Sequence, residues 1–311
     1  MTVENVITVD EYDEFGLLHE NVAEWDLEVD PLPAVSRGAI ELDPGHWLSY
    51  IRWGAQPAEV VFLHGGGQNA HTWDTVALAL NRPAIAFDLP GHGHSYRRHD
   101  RDYGPWSNAE ALARTISRLA PRTGLVVGMS LGGATTIRLA AEYPDLCPRA
   151  VIVDVTPQVN DPSRHMSEIE RGSVALIGGP PTYNSFEEMA SAAVALSPFR
   201  DPSGVRRGVR HNAYRRADGK WAWRYDLFDR GTKSEGDADR SDFTRLWNDV
   251  SRIRVPTMLV LGGESKYVHT SDVEEMKRRL PGILVESVPG AGHAVQSDRP
   301  LDLVKLLNRF R

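Results

Sequence analysis

Short apolar runs recur along the chain, separated by amphipathic stretches. Val60 to Leu63, Ala84 to Phe87, Leu125 to Val127, Ala150 to Val153, Thr257 to Leu261 and Ile283 to Val285 are each apolar without alternation. Such runs fit strands buried on both faces of a parallel sheet. Between them, Ala109, Leu112, Ile116 and Leu119 recur at spacings of three and four, which predicts a helix with one apolar face. Ser107 is its expected N-cap, with Glu110 three residues on as in a capping box. Ala134 to Ala141, Ser271 to Leu280 and Pro300 to Phe310 read as further helices. Ala39 to Leu42 and Trp47 to Trp53 flank Pro44-Gly45 and read as an opening hairpin. Alternating β and α segments predict a mostly parallel, doubly wound α/β sheet.

The alternation fails in two places. Residues 1–37 form an acidic arm in which Met1 to Asp30 carries only His19 as a possible cation. Val3 to Val9 is a possible strand, and the arm is open to two readings: packed, over the cap or in an oligomer contact, or a solvated tail. Residues 156–250 hold several Pro and Gly breaks and few strand-like runs, and read as a mainly helical cap inserted between core segments 38–155 and 251–311.

Composition narrows the function classes. The chain has 311 residues, 41% of them hydrophobic, enough for one large domain with an insertion. A net charge of -7 argues against nucleic acid as a partner. The single cysteine, Cys147, allows no internal disulfide and fits a reducing compartment. No run approaches a membrane span, and the first residues lack a signal-peptide pattern, so a cytoplasmic protein is expected.

The chemistry centres on Gly128-Met129-Ser130-Leu131-Gly132-Gly133, between an apolar strand and a helix. A serine on that tight turn stands clear of the sheet edge, beside unpaired helix N–H groups. It can attack a carbonyl and have the oxyanion stabilised. Upstream, Val60-Val61-Phe62-Leu63 runs into His64-Gly65-Gly66-Gly67, whose glycines let backbone N–H groups approach a substrate oxygen. Near the C-terminus, Gly290-Ala291-Gly292-His293 sets a histidine among small residues.

These motifs, with Asp88-Leu89-Pro90-Gly91-His92-Gly93-His94-Ser95, resemble the α/β-hydrolase family in order and spacing from about Gly38 to Arg311. The resemblance implies a serine hydrolase with Ser130 as nucleophile and His293 as base. It implies Gly66 and Leu131 as oxyanion-hole donors, and His64 and Asp88 as structural. The family's usual acid position holds Ser265, so the acid is either Asp154, at the end of the preceding core strand, or Glu264; Asp154 is preferred. Asp272 reads as helix-start charge. Trp223 and Trp73 are candidate substrate contacts, with Trp73 open to a second reading as a core residue. The arginine-rich Arg207 to Asp226 reads as a turn at Ala217 to Lys220 followed by aromatics that pack the cap, rather than as an anion site.

The expected reaction is cleavage of a carboxylic ester or lactone of a small, largely apolar substrate through an acyl-enzyme, with no metal or organic cofactor. The alternatives are a C–C bond hydrolase or a cofactor-free perhydrolase, which use the same residues, and a non-catalytic ligand receptor on the same fold. The fold alone does not choose among them.

Overall fold

The computed structural model describes residues 12–160, 165–226 and 242–310. The possible strand at Val3 to Val9 lies outside them. The strands are β1 (Val35–Asp43), β2 (His46–Trp53), β3 (Val60–Leu63), β4 (Ala84–Phe87), β5 (Leu125–Met129), β6 (Ala150–Val153), β7 (Ala213–Arg215), β8 (Trp221–Trp223), β9 (Thr257–Gly262) and β10 (Leu284–Val288). The helices are α1 (Leu18–Trp25), α2 (Asp74–Leu80), α3 (Pro105–Leu119), α4 (Leu131–Glu142), α5 (Glu168–Arg171), α6 (Phe186–Ala195), α7 (Pro202–Asn212), α8 (Leu246–Arg252), α9 (Thr270–Arg279), α10 (Val295–Asp298) and α11 (Pro300–Arg309).

Eight strands form one sheet in the order β1-β2-β4-β3-β5-β6-β9-β10. The β1–β2 hairpin and the β2–β4 pair are antiparallel, and the rest are parallel. The apolar runs are unalternating because both faces are covered. Val60, Phe62, Val127, Val151 and Val260 point to the side of α1, α2 and α11. Val61, Leu63, Val126, Ile152 and Leu259 point to the side of α3, α4, α8 and α9. The last strand departs from this pattern. It begins at Leu284, which is 53% exposed, because β10 is an edge strand paired only with β9.

Helix α3 also departs from expectation. It starts at Pro105, whose fixed φ suits the first helical position, and Gly104 is the cap residue. Ser107 therefore lies inside the helix, and its hydroxyl donates back to the carbonyls of Asp102 and Gly104.

Between β6 and β9, residues 165–226 build a separate small core from Leu176, Tyr183, Met189, Val205, Val209 and Trp223. It comprises α5, a 3-10 stretch at Gly172–Gly178, α6, α7 and the β7–β8 hairpin. The hairpin turns at residues 217–219. Asn69 donates to the His211 carbonyl and Asn212 to that of Gly67, fastening this segment to the loop after β3. Leu246 and Val250 of α8 belong instead to the core layer around α4.

Candidate active site

The carboxyl ends of β5, β6, β9 and β10 bring the predicted residues to one edge of the sheet. Ser130 follows β5 directly, with φ 51° and ψ -115°. An L residue at that φ is strained, and the surrounding glycines make the strain sterically possible. A Cβ on Gly128 would come within 2.1 Å of the Gly132 carbonyl oxygen. One on Gly132 would come within 2.2 Å of the Leu63 carbonyl, and one on Gly133 within 2.6 Å of Val155. The turn is held by Ser130 N–H donating to the Val153 carbonyl at 3.0 Å.

Asp154 follows β6, also at positive φ and fully buried. Its Oδ2 lies 2.7 Å from His293 Nδ1. Two further donors fix the carboxylate: the Gly262 N–H reaches Oδ1 at 2.9 Å, and the Ser265 hydroxyl reaches Oδ2. Ser265, at the family's usual acid position, thus donates to a carboxylate at the end of the neighbouring strand. Glu264 is exposed, and its backbone N–H bonds the Ala291 carbonyl. His293 is 8% exposed, and its Nε2 is buried without a hydrogen-bond partner among the described residues.

The glycine loop divides its roles by hydrogen bonding. The Gly65 N–H donates to Gln68 Oε1 at 3.0 Å, and the Gly67 N–H to His92 Nε2 at 3.1 Å. Among the described residues, no acceptor takes the Gly66 N–H, and Gly66 lines the cavity. Leu131 is the first residue of α4, where no carbonyl one turn back is available to its N–H. Burial holds His92 down to about 3, so it stays neutral and accepts at Nε2 while Nδ1–H donates to the Pro90 carbonyl. His64 is buried, donates to the Gly65 carbonyl and accepts from the Leu89 N–H. Asp88 braces the loop by accepting from the N–H groups of Ala70 and His94 and from Arg37.

The cavity has a volume of about 230 Å³. His293, Gly66, Asn212, Trp223 and Tyr225 line it. Ser130 and Leu131 are not among its lining residues, and neither is Trp73. Trp73 is fully buried and stacks on Phe62, with centroids 4.8 Å apart and planes at 20°. The expectation that it contacts substrate is thus corrected: the short 3-10 turn at Ala70–Trp73 points the indole into the sheet core. The arginines of the inserted segment are mostly engaged elsewhere. Arg207 does line the cavity but is paired there with Glu24 and Glu20, and Arg210 lies over Tyr12, Phe186 and Trp221.

Sequence reasoning left the arm open; from residue 12 onward it is packed. Asn21, Glu24 and Trp25 of α1 line the same cavity. Glu14 pairs with Arg37 and, at 2.8 Å, with His71 Nε2, whose Nδ1 faces Asp74 at 2.8 Å. These contacts hold Glu14 down to about 2, against its own burial, and His71 up to about 9. The Glu14 contribution is complete above its usual 4.5 and is lost as pH falls through about 2. The His71 contribution is complete below its usual 6.5 and is lost as pH rises through about 9. The arm should therefore be held tightest between about pH 4.5 and 6.5 and loosen on going to pH 9.5. Amide exchange across Leu18–Trp25, normalised for intrinsic rate, checks this. Equal protection at pH 6 and pH 9.5 would show that the pair does not hold the arm.

His71, Asp74 and His211 also bring possible metal-ligand atoms within 4.8 Å of one another, a grouping hidden in the sequence by the remoteness of His211. The two imidazoles stack face to face, with centroids 3.7 Å apart and planes at 12°. A metal ion cannot lie in both ring planes in that arrangement, so their lone pairs do not converge.

A family model described as the alpha/beta hydrolase family matches residues 60–306. A protein of Mycobacterium tuberculosis named Esterase Rv0045c is 45% identical over 299 residues, covering 95% of this chain and 94% of its own. A solved structure of that esterase has a TM-score of 0.82 at 44% identity and covers 96% of this chain and 99% of its own. A mouse protein named sn-1-specific diacylglycerol lipase ABHD11 is 29% identical over 259 residues, covering 81% of this chain and 80% of its own.

Proposed function

The chain belongs to the alpha/beta hydrolase family, and we propose that it is a serine esterase that cleaves small carboxylic esters or lactones through an acyl-enzyme. Ser130 Oγ attacks the acyl carbon as its proton passes to His293 Nε2. The oxyanion is held by the N–H groups of Gly66 and Leu131. Collapse breaks the bond to the alcohol, which leaves with the proton from Nε2. A water then attacks the acyl-enzyme by the same route and frees Ser130.

One observation carries this reading. His293 is anchored at Nδ1 by a buried carboxylate 2.7 Å away, while its buried Nε2 has no partner among the described residues. A buried ring nitrogen left unpaired costs stability, and a general base that must take and return a proton supplies a reason for it. The name of the 45% identical relative supports ester hydrolysis as the reaction.

The cavity sets the substrate size. At about 230 Å³ it lies below the usual range for drug-sized ligands. Its lining joins apolar Leu176, Leu196 and Phe199 with polar Asn69, Asn212 and Arg200. A short acyl group with a polar neighbour fits it better than a long apolar chain. We place the cap insertion between residue 156 and the start of α8, since α8 packs with the core. No helix among the described residues is long and apolar enough to cross a membrane. A cytoplasmic location, consistent with the free, buried Cys147, stays part of the proposal.

Turnover of p-nitrophenyl esters of graded acyl length tests this reading. Rates should be highest for acyl chains of up to about six carbons and fall steeply beyond them. A folded protein that turns over no ester or lactone would overturn it.

A further inference from the structure

Tyr267 lies in the loop between β9 and α9, two residues beyond Ser265. Its ring stacks on the His293 imidazole, with centroids 3.6 Å apart and planes at 18°. Both side chains are buried. The Tyr267 backbone N–H donates to Ser265 Oγ at 3.2 Å, and the Ser265 hydroxyl donates to Asp154 Oδ2. The phenol donates to the Arg171 carbonyl at 3.2 Å, at the end of α5 in the inserted segment. A single loop thus meets the imidazole with a ring, the carboxylate with a hydroxyl and the covering segment with a phenol.

We propose that Tyr267 is a positioning residue for His293, fixing the plane of the imidazole and favouring the imidazolium that forms as Ser130 attacks. This rests on His293 being the base. A single hydrogen bond at Nδ1 leaves the ring free to rock about that contact. A flat surface against its face removes that freedom and keeps Nε2 aimed at one point. The π face of a phenol is also electron-rich and attracts a cation lying over it. The imidazole becomes that cation only while the reaction is under way, so the attraction lowers the barrier more than it stabilises the resting state. Burial pushes the Tyr267 hydroxyl up to about 12, so it remains a protonated donor to Arg171 and holds the ring in place.

Two substitutions separate the ring from the hydroxyl. Tyr267→Leu removes the π face, and Tyr267→Phe keeps it. Tyr267→Leu should lower kcat about tenfold with KM within about twofold of wild type. It should also move the acid limb of the kcat/KM profile to lower pH by about half a unit, because the imidazolium is then less favoured. Tyr267→Phe should restore the limb and at least about half of kcat. Circular dichroism and the midpoint of thermal unfolding verify that each variant folds. A folded Tyr267→Leu variant with wild-type kcat and an unmoved limb would overturn the proposal. So would equal losses in the Phe and Leu variants, which would assign the effect to the phenol. His293→Ala separates this inference from the one beneath it: retained activity there would remove the base itself, and both readings with it.

Discussion

Ser130→Ala is expected to lower kcat on a p-nitrophenyl ester by about a millionfold, the scale of losing the nucleophile from a complete serine triad. The substitution removes a hydroxyl and little else. Alanine at φ 51° carries the same Cβ as serine, so the strain of the turn is unchanged. The glycines that permit the turn remain, and so does the Ser130 N–H bond to Val153. The variant should fold with an unfolding midpoint close to wild type and bind substrate with similar affinity. A pre-steady-state burst of nitrophenol, the sign of an accumulating acyl-enzyme, should disappear with the turnover. Residual activity above about one part in a hundred, with the protein shown free of contaminating esterase, would mean that a different group attacks.

How much of this site was legible in the sequence depended on the reach of each interaction. The elbow was legible because its constraint is local: Gly128, Gly132 and Gly133 are needed by atoms only a few residues away or on the adjacent strand end. The core strands were legible because burial on both faces leaves continuous apolar runs. The failures share the opposite property. Trp73 was open to two readings because its environment is Phe62 on β3, and a sequence does not say which way a short 3-10 turn aims an indole. The arm was open because its partners, Arg37, His71, Arg207 and His211, are spread across core and insertion. Tyr267 carried no signal, since a tyrosine after a glycine-rich strand end is unremarkable until His293 is placed under it. The start of α3 was misread because Pro105 was outweighed by a serine and glutamate at capping-box spacing.

The choice of acid shows both sides at once. The sequence marked the loss of a carboxylate at Ser265 and offered Asp154 and Glu264 in its place. It did not show that Ser265 itself bonds to Asp154. Strands β6 and β9 are neighbours in parallel register, so their carboxyl ends sit side by side and either loop can reach His293. With a carboxylate at Asp154 on the β6 loop, the small Ser265 side chain on the β9 loop leaves it room, and its hydroxyl satisfies one more lone pair of that carboxylate.

That arrangement predicts the second large effect. Asp154→Asn should lower kcat by about 10⁴, while Glu264→Gln should stay within about twofold of wild type. In the native site the carboxylate accepts from Gly262 N–H, the Ser265 hydroxyl and His293 Nδ1–H. An amide at 154 can keep its oxygen on Gly262, but its NH₂ then faces Nδ1. The imidazole must turn that nitrogen into an acceptor and carry its proton on Nε2, where it cannot receive one from Ser130. The fold should survive, because the amide is nearly isosteric and neutral. KM should change far less than kcat, since Asp154 does not line the cavity. Adding Ser265→Asp to Asp154→Asn places a carboxylate on the neighbouring loop, within reach of the same nitrogen, and should recover about ten- to a hundredfold of the lost kcat. A loss with Glu264→Gln and none with Asp154→Asn would move the acid to Glu264, and the 2.7 Å contact at Nδ1 would then be structural.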